Sequence, residues 1–231
     1  MNAPSSRELL ASLGRLDAPT VANAIETFDV RLRNEGFANN SIRCLFPQLP
    51  RLVGYAATVT IRGANPPVGA HAYVDRIDWW NYLLSVPAPR VLVVQDISSQ
   101  PGLGALLGEV HVNILRALGC VGAVTNGAAR DLPAIESLGF GLFTAAVSVS
   151  HSYVHLVDIG VPVQIAGMKV RSGDLLHGDL HGIQTIPAAI APQLPATAAR
   201  LQAVDDRLIA ACQAPDFNLD RLRRALAQAQ T

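Results

Sequence analysis

Lysine is nearly absent from this 231-residue chain: 17 of its 18 basic residues are arginine, and the remaining one is Lys169. Chemistry that starts with an amine condensing on a carbonyl therefore has a single candidate nucleophile. Cysteine is scarce as well. Cys44, Cys120 and Cys212 are odd in number and far apart, which excludes a disulfide framework or a thiolate metal cluster as the organising feature. There is no excess of either charge, with 18 basic against 18 acidic residues, so the electrostatic footprint that nucleic-acid binding requires is missing. No uncharged apolar run reaches the ~18 residues needed to span a bilayer. The opening MNAPSSRELLASLGRLDAP carries acidic residues and no long apolar stretch, which argues against a secretion signal. These absences leave the expectation of a soluble, cytoplasmic globular protein without a membrane or nucleic-acid partner.

Apolar material is plentiful. Half of the residues are hydrophobic and 18 Gly and 15 Pro punctuate them, enough for a sizeable core with many turns. Leu9, Leu10, Leu13 and Leu16, then Val21, Ala24, Ile25 and Phe28, recur at helical spacing over residues 6–29, with a break and cap near Pro19. Residues 30–52 read as irregular, 54–63 as a strand, 65–71 as a loop and 74–85 as a short helix. VLVVQD (91–96) reads as a strand buried on both faces. A Gly/Pro loop, 98–104, then opens onto a helix through Leu106, Leu107, Val110, Ile114 and Leu118. The strand 122–127, the helix 132–138 and the strand 143–149 follow. Residues 161–187 form a β-rich stretch with glycines at turn positions, and two helices, 188–212 and 218–229, close the chain. The pattern predicts one α/β domain spanning 1–231, a mixed central β-sheet with helices on its faces.

Residues 98–131 carry the strongest candidate for chemistry. Two successive strand-to-helix turns at one sheet edge are where open α/β folds place ligands. The first N–H groups of the helix that begins near Gly108-Glu109 lack helical partners and can bind an anion. Arg130 can clamp the same carboxylate in two places. Asp131 offers a hard oxygen for Mg²⁺ or Mn²⁺, ions that need few protein ligands, and Glu109 can position or deprotonate a water. A plainer reading stands beside this one: Asp131 as the N-cap of the following helix, Arg130 in a surface ion pair, and Glu109 favouring the helix dipole.

GEVHVNILRALGCVGAVTNGAARD (108–131) resembles a spaced segment of the 4-hydroxy-4-methyl-2-oxoglutarate aldolase family, GE/D-(L/V)…A…G…G-x-V-x-x-G-x-x-RD. That family also contains the proteins called regulator of ribonuclease activity A. GYAATV (54–59) and GDLLHGDLHGIQTIP (173–187) add to the resemblance, which spans roughly residues 16–187. It implies divalent-metal aldolases that cleave 4-hydroxy-2-oxo acids to release pyruvate, often decarboxylate oxaloacetate, and form trimers or pairs of trimers with sites at subunit interfaces. By this resemblance Arg130 holds the pyruvate carboxylate and Asp131 is the direct metal ligand. Glu109 handles a water on the metal, and the Gly108 turn with the amides of Val110 and His111 cradles the carboxylate. Asp206 is a residue lent by a neighbouring subunit, with Asp205 an equal match. Asn126 and Asn23 stand where many members have Asp, a departure that bears on substrate choice. The resemblance also allows a non-catalytic protein of the ribonuclease-regulator type.

Other patterns compete less well. His151/His155 and His177/His181 share an i, i+4 spacing that on a helix would suit zinc. Both pairs instead fall in or beside strands and turns, and no HExxH glutamate accompanies them. Lys169 alternates with Met168 and Val170 and is expected on the solvent face of a hairpin strand, away from any Schiff-base role. GLG at 102–104 matches neither GxGxxG nor GxxxxGK[ST]. Trp79-Trp80 is read as packing or a subunit interface.

Overall fold

Strand pairing organises the chain around one long run, Leu52–Arg62 (β2). The structure is a computed structural model and describes residues 6–68 and 74–229; the second half of the loop expected over 65–71 lies outside them. Two N-terminal helices, α1 (Ser6–Leu13) and α2 (Ala18–Glu26), precede a two-residue strand, β1 (Arg43–Cys44), and β2. Helix α3 (Arg76–Ser85), β3 (Arg90–Asp96), β4 (Ala105–Leu107), α4 (Glu109–Ala117), β5 (Cys120–Ala129), α5 (Leu132–Ser137) and β6 (Gly141–Val147) follow. The later strands are β7 (His155–Ile159), β8 (Val163–Ile165), β9 (Met168–Val170), β10 (Leu175–Asp179) and β11 (Gly182–Ile186). A 3₁₀ turn (Ala191–Gln193) then leads into α6 (Leu194–Gln213) and α7 (Leu219–Ala229).

The sheet runs β1-β6-β5-β3-β2-β10-β11, with β4 added on β5 and β7 on β2. Its centre is parallel, β2/β3, β3/β5 and β5/β6, and its flanks are antiparallel, so the expected mixed sheet is observed. Alternation along β3 shows why both faces are covered. Leu92 and Val94 face a core shared with Trp79 and Leu83 of α3, Val112 and Leu115 of α4, and Ile135 of α5. Val91 and Val93 face the β8–β9 hairpin through Val163, Ile165, Met168 and Val170. A buried parallel strand has to be apolar on both sides, as VLVV is. Helices α1, α2 and α6 cover β10 and β11 through Leu13, Val21, Ile25, Leu175, Ile186 and Leu194. The break between the first two helices is made by Asp17, whose carboxylate accepts the Thr20 N–H (2.7 Å) with Pro19 in the first turn.

One element departs from expectation. Ala105–Leu107 is a strand and not the start of the following helix. Pairing of β5 with β3 ends at Thr125, which leaves the last residues of β5 with unmet backbone groups, and Ala105 and Leu107 take them as parallel partners of Ala128 and Ala129. The helix therefore begins only at Glu109, with Gly108 extended ahead of it.

Candidate active site

The C-terminal ends of β3, β4 and β5 converge on the start of α4. Asp96, the last residue of β3, is 2% exposed. Its carboxylate accepts the Ser98 and Gly102 N–H groups, both at 2.9 Å, fixing the 97–104 loop. Across the gap between β3 and β5, Asn126 replaces the missing ladder: its Oδ1 accepts the Asp96 N–H (2.7 Å) and its Nδ2 donates to the Asp96 carbonyl (3.0 Å). An aspartate could not supply that second bond, so the Asn at this position has a structural role.

Helix α4 lacks a side-chain cap. Its first intrahelical bond runs from the Val112 N–H to the Gly108 carbonyl at 2.9 Å, so the N–H groups of Val110 and His111 point out of the helix end. The Glu109 N–H is taken by Asp131 Oδ2 at 3.1 Å. Asp131 occupies the N-cap position of α5 but does not cap it. Its backbone is left-handed (φ 56°, ψ 38°) and its side chain makes no bond to its own helix. The N-cap reading is thus corrected: the carboxylate is turned across to α4, at a conformational cost of about 1–3 kcal/mol for a non-glycine residue. Arg130 lies beside it, with Nε 3.7 Å from Asp131 Oδ2. Gly108 makes the approach possible, because a Cβ there would stand 2.7 Å from Asp131 Oδ2 and 3.1 Å from Arg130 Nε.

These groups line a cleft of about 450 Å³ that takes in Gly108, Val110, His111, Arg130 and Asp131. Glu109 is exposed and its side chain is not part of the lining. Asp206 is also outside it, on α6, where Gln202 donates to its Oδ1 at 2.9 Å. Other lining residues are what sequence patterns missed: Arg76 and Trp79 from α3, and the 151–156 segment. Trp79 is 2% exposed, and its ring centroid lies 6.4 Å from that of His111. The 151–156 segment has no periodicity to announce it. It is carried in by long-range contacts, the Ala105 N–H to the Ser150 carbonyl (2.9 Å) and the Tyr153 N–H to the Gly63 carbonyl (3.2 Å), and by Gly104, where a Cβ would meet the His151 carbonyl at 2.5 Å. Ser152, like Asp131, is left-handed.

Three histidines line this space. Burial first, then the charges of Arg76 and Arg130 and the nearby His151, push the His111 pKa below the ordinary histidine range, so its imidazole is neutral at pH 7. His151 Nδ1 lies 2.8 Å from the Ser152 carbonyl and His155 Nδ1 lies 2.7 Å from the Tyr153 carbonyl. A carbonyl only accepts, so each Nδ1 is the donor in its contact. The other pair is structural. His177 is fully buried with Nε2 donating to the Leu13 and Leu16 carbonyls, and His181 lies against Asp179 at 3.1 Å. Lys169 is exposed between buried Met168 and Val170, as expected, and does not line the cleft.

A zinc-type cluster does not fit: among the described residues no group of three or more His, Cys, Asp or Glu side chains is placed to hold a metal ion. The donor chemistry suits a hard, hydrated cation instead. Asp131 Oδ2 is engaged by the Glu109 N–H and by Arg130, no hydrogen bond from a described residue reaches its Oδ1, and Mg²⁺ commonly takes one or two carboxylates together with waters and substrate oxygens. No helix among the described residues is long and apolar enough to cross a membrane.

A protein from Halalkalibacterium halodurans named "Putative 4-hydroxy-4-methyl-2-oxoglutarate aldolase" is 31% identical over 103 residues, 44% of this chain and 49% of that one. An Arabidopsis thaliana protein, "Putative 4-hydroxy-4-methyl-2-oxoglutarate aldolase 2", is 36% identical over 95 residues, 41% and 56% of the two chains. The chain thus spans about half the length of these curated relatives. Among solved structures, an uncharacterized protein from Pseudomonas syringae pv. tomato superposes with a TM-score of 0.73 at 24% identity, covering 99% of this chain and 97% of that one. Streptomyces coelicolor RraAS2, described as an unusual member of the RNase ES inhibitor RraA protein family, gives 0.69 at 22% identity, covering 89% and 97%. At these identities the two structures speak for the fold alone. The family model described as RraA-like, Aldolase/RraA, matches residues 18–184, a stretch that holds the cleft and all of the sheet but the last two residues of β11, and the chain belongs to this family.

Proposed function

We propose that this chain is a divalent-metal-dependent carbon–carbon lyase that cleaves 4-hydroxy-2-oxo acids to release pyruvate, with oxaloacetate decarboxylation as a second activity of the same site. One observation carries the reading. The Asp131 carboxylate is held in a strained backbone conformation, turned away from its own helix and onto an open helix N-terminus beside Arg130. The N–H groups of Val110 and His111 bind the carboxylate of the 2-oxo acid, and Arg130 clamps it from the side with a fixed charge. Asp131 is the residue that would hold Mg²⁺ or Mn²⁺, and such a cation supplies Lewis-acid stabilisation of the negative charge that both reactions develop on the 2-oxo group. Preorganised donors of this kind act without reorganising during the reaction. Glu109 follows the cleft-lining Gly108 in the chain but its side chain is outside the lining, so it would take the 4-hydroxyl proton through an intervening water. Asp206 enters only as a residue lent by a neighbouring copy in a homotrimer or hexamer.

The test is pyruvate release, followed with lactate dehydrogenase, from 4-hydroxy-4-methyl-2-oxoglutarate and from oxaloacetate. Release that requires Mg²⁺ and stops with EDTA is the expected result. Silence on both substrates would overturn the lyase reading in favour of a non-catalytic protein of the ribonuclease-regulator type.

A further inference from the structure

Two arginines, not one, line the cleft, and they differ in their surroundings. Arg130 stands beside Asp131. Arg76 has no ion-pair or hydrogen-bond partner for its guanidinium among the described residues, and the neighbouring residues 69–73 (Gly-Ala-His-Ala-Tyr) contain no acidic side chain. The nearest acids in sequence do not serve it. Asp75 is occupied in capping α3 through the Ile77 N–H at 2.7 Å, and Asp78 makes no ion pair with it. Arg76 is also the first residue of α3, the end of a helix where the dipole disfavours a cation. Neither local pairing nor the helix therefore accounts for the charge. Its position does: Arg76 and Trp79 are three residues apart on one face of α3, and both line the cleft, with Trp79 buried as the wall and Arg76 exposed beside it.

Among the described residues Asp131 is the only acidic one in that lining, against Arg76 and Arg130. His111 feels both guanidiniums, so positive charge reaches it from α3 as well as from the end of β5. The volume, about 450 Å³, is far more than a three-carbon 2-oxo acid fills, and falls in the range of sites that enclose a whole small ligand.

We infer that Arg76 is a second anion anchor, binding the distal carboxylate of a 2-oxo dicarboxylate whose 2-oxo-acid end lies at Arg130 and the start of α4. The inference rests on the 2-oxo-acid reading of the cleft and adds a specificity residue to it. Arg76 touches the part of the substrate that does not react, so it sets which acids bind and does no chemistry.

The test is calorimetric binding, in the presence of Mg²⁺, of 2-oxoglutarate and of 2-oxopentanoate to the full chain and to Arg76→Gln and Arg76→Lys. The two probes share a five-carbon chain and a 2-oxo-acid end and differ in a distal carboxylate against a methyl group. Neither carries the 4-hydroxyl needed for cleavage. The wild-type protein is expected to prefer 2-oxoglutarate by about tenfold or more, the scale of a hydrogen bond to a charged group. Arg76→Gln is expected to erase that preference without changing 2-oxopentanoate binding, and Arg76→Lys to keep part of it. Equal binding of the two probes by the wild type, or a preference that survives in Arg76→Gln, would overturn this inference alone. Failure of the wild type to bind either probe would overturn the 2-oxo-acid reading and this inference with it.

Discussion

A single aspartate makes the clearest statement about purpose. Left-handed Asp131 bears strain that its own helix does not need, and its carboxylate accepts a bond from another helix. If that bond existed only to hold the two helices together, removing the side chain would lower stability. If it aims a ligand, removal should leave stability intact, because glycine adopts φ near +56° without steric penalty. We expect Asp131→Gly to have an unfolding free energy in urea equal to or above that of the wild type and to lose metal-dependent pyruvate release. A drop of more than about 1 kcal/mol, the typical net worth of a hydrogen bond, would make the carboxylate a structural acceptor. The residue types here were legible in the sequence, since a GE…RD spacing at two strand ends points to an anion site. The left-handed turn was not, because an Asp before a Leu-Pro helix start reads as an ordinary N-cap.

At the scale of elements, the joints between strands decide what the site residues can reach. Asn126 bridges β5 to β3 by bonding both backbone groups of Asp96, and Asp96 in turn holds the loop that leads to β4. Asn126→Asp should destabilise the fold by about 1–3 kcal/mol, the penalty for leaving a buried polar group unpaired, read as a shift in the urea midpoint. An unchanged midpoint would mean the bridge is dispensable. A second joint titrates. His177 of β10 is buried with Nε2 bonded to the α1–α2 turn, while its Nδ1 has no hydrogen-bond partner among the described residues. Burial is the largest influence on it, and its pKa is lowered. Below about pH 6.5, the ordinary histidine value, the unfolded chain therefore binds a proton that the folded chain refuses. Stability is fully present above that pH and declines as the pH falls toward the lowered folded value. We expect the melting temperature to drop between pH 7.5 and 5.5, with a shallower slope in His177→Gln; parallel slopes would remove His177 as the cause. Periodicity located most of these elements. It failed at Ala105–Leu107, where an apolar stretch that suits a helix is taken into a strand by the unpaired end of β5, a long-range demand that no local window contains.

For the whole molecule, the sheet brings together segments that the sequence keeps apart: α3, the start of α4, the end of β5 and the 151–156 segment meet at one cleft. Half of that cleft was readable beforehand, because Gly108 to His111 and Arg130-Asp131 sit at consecutive strand-to-helix turns. The other half was not, since Arg76, Trp79 and the histidine segment depend on how α3 packs and on β7 pairing antiparallel with β2. The histidine pairs show the same limit. One spacing, i to i+4, gives cleft-lining side chains at His151 and His155, and a buried strut and a half-exposed hydrogen-bond partner of Asp179 at His177 and His181. The central claim is that Asp131 binds a divalent cation together with a 2-oxo acid, and the most direct measurement of it is Mn²⁺ binding followed by electron paramagnetic resonance, with and without pyruvate, in the wild type and in Asp131→Asn. The account requires one Mn²⁺ per chain in the wild type, a signal that changes when pyruvate is added, and loss of both in the variant. Equal Mn²⁺ binding by the two proteins, or a wild-type signal indifferent to pyruvate, would contradict it.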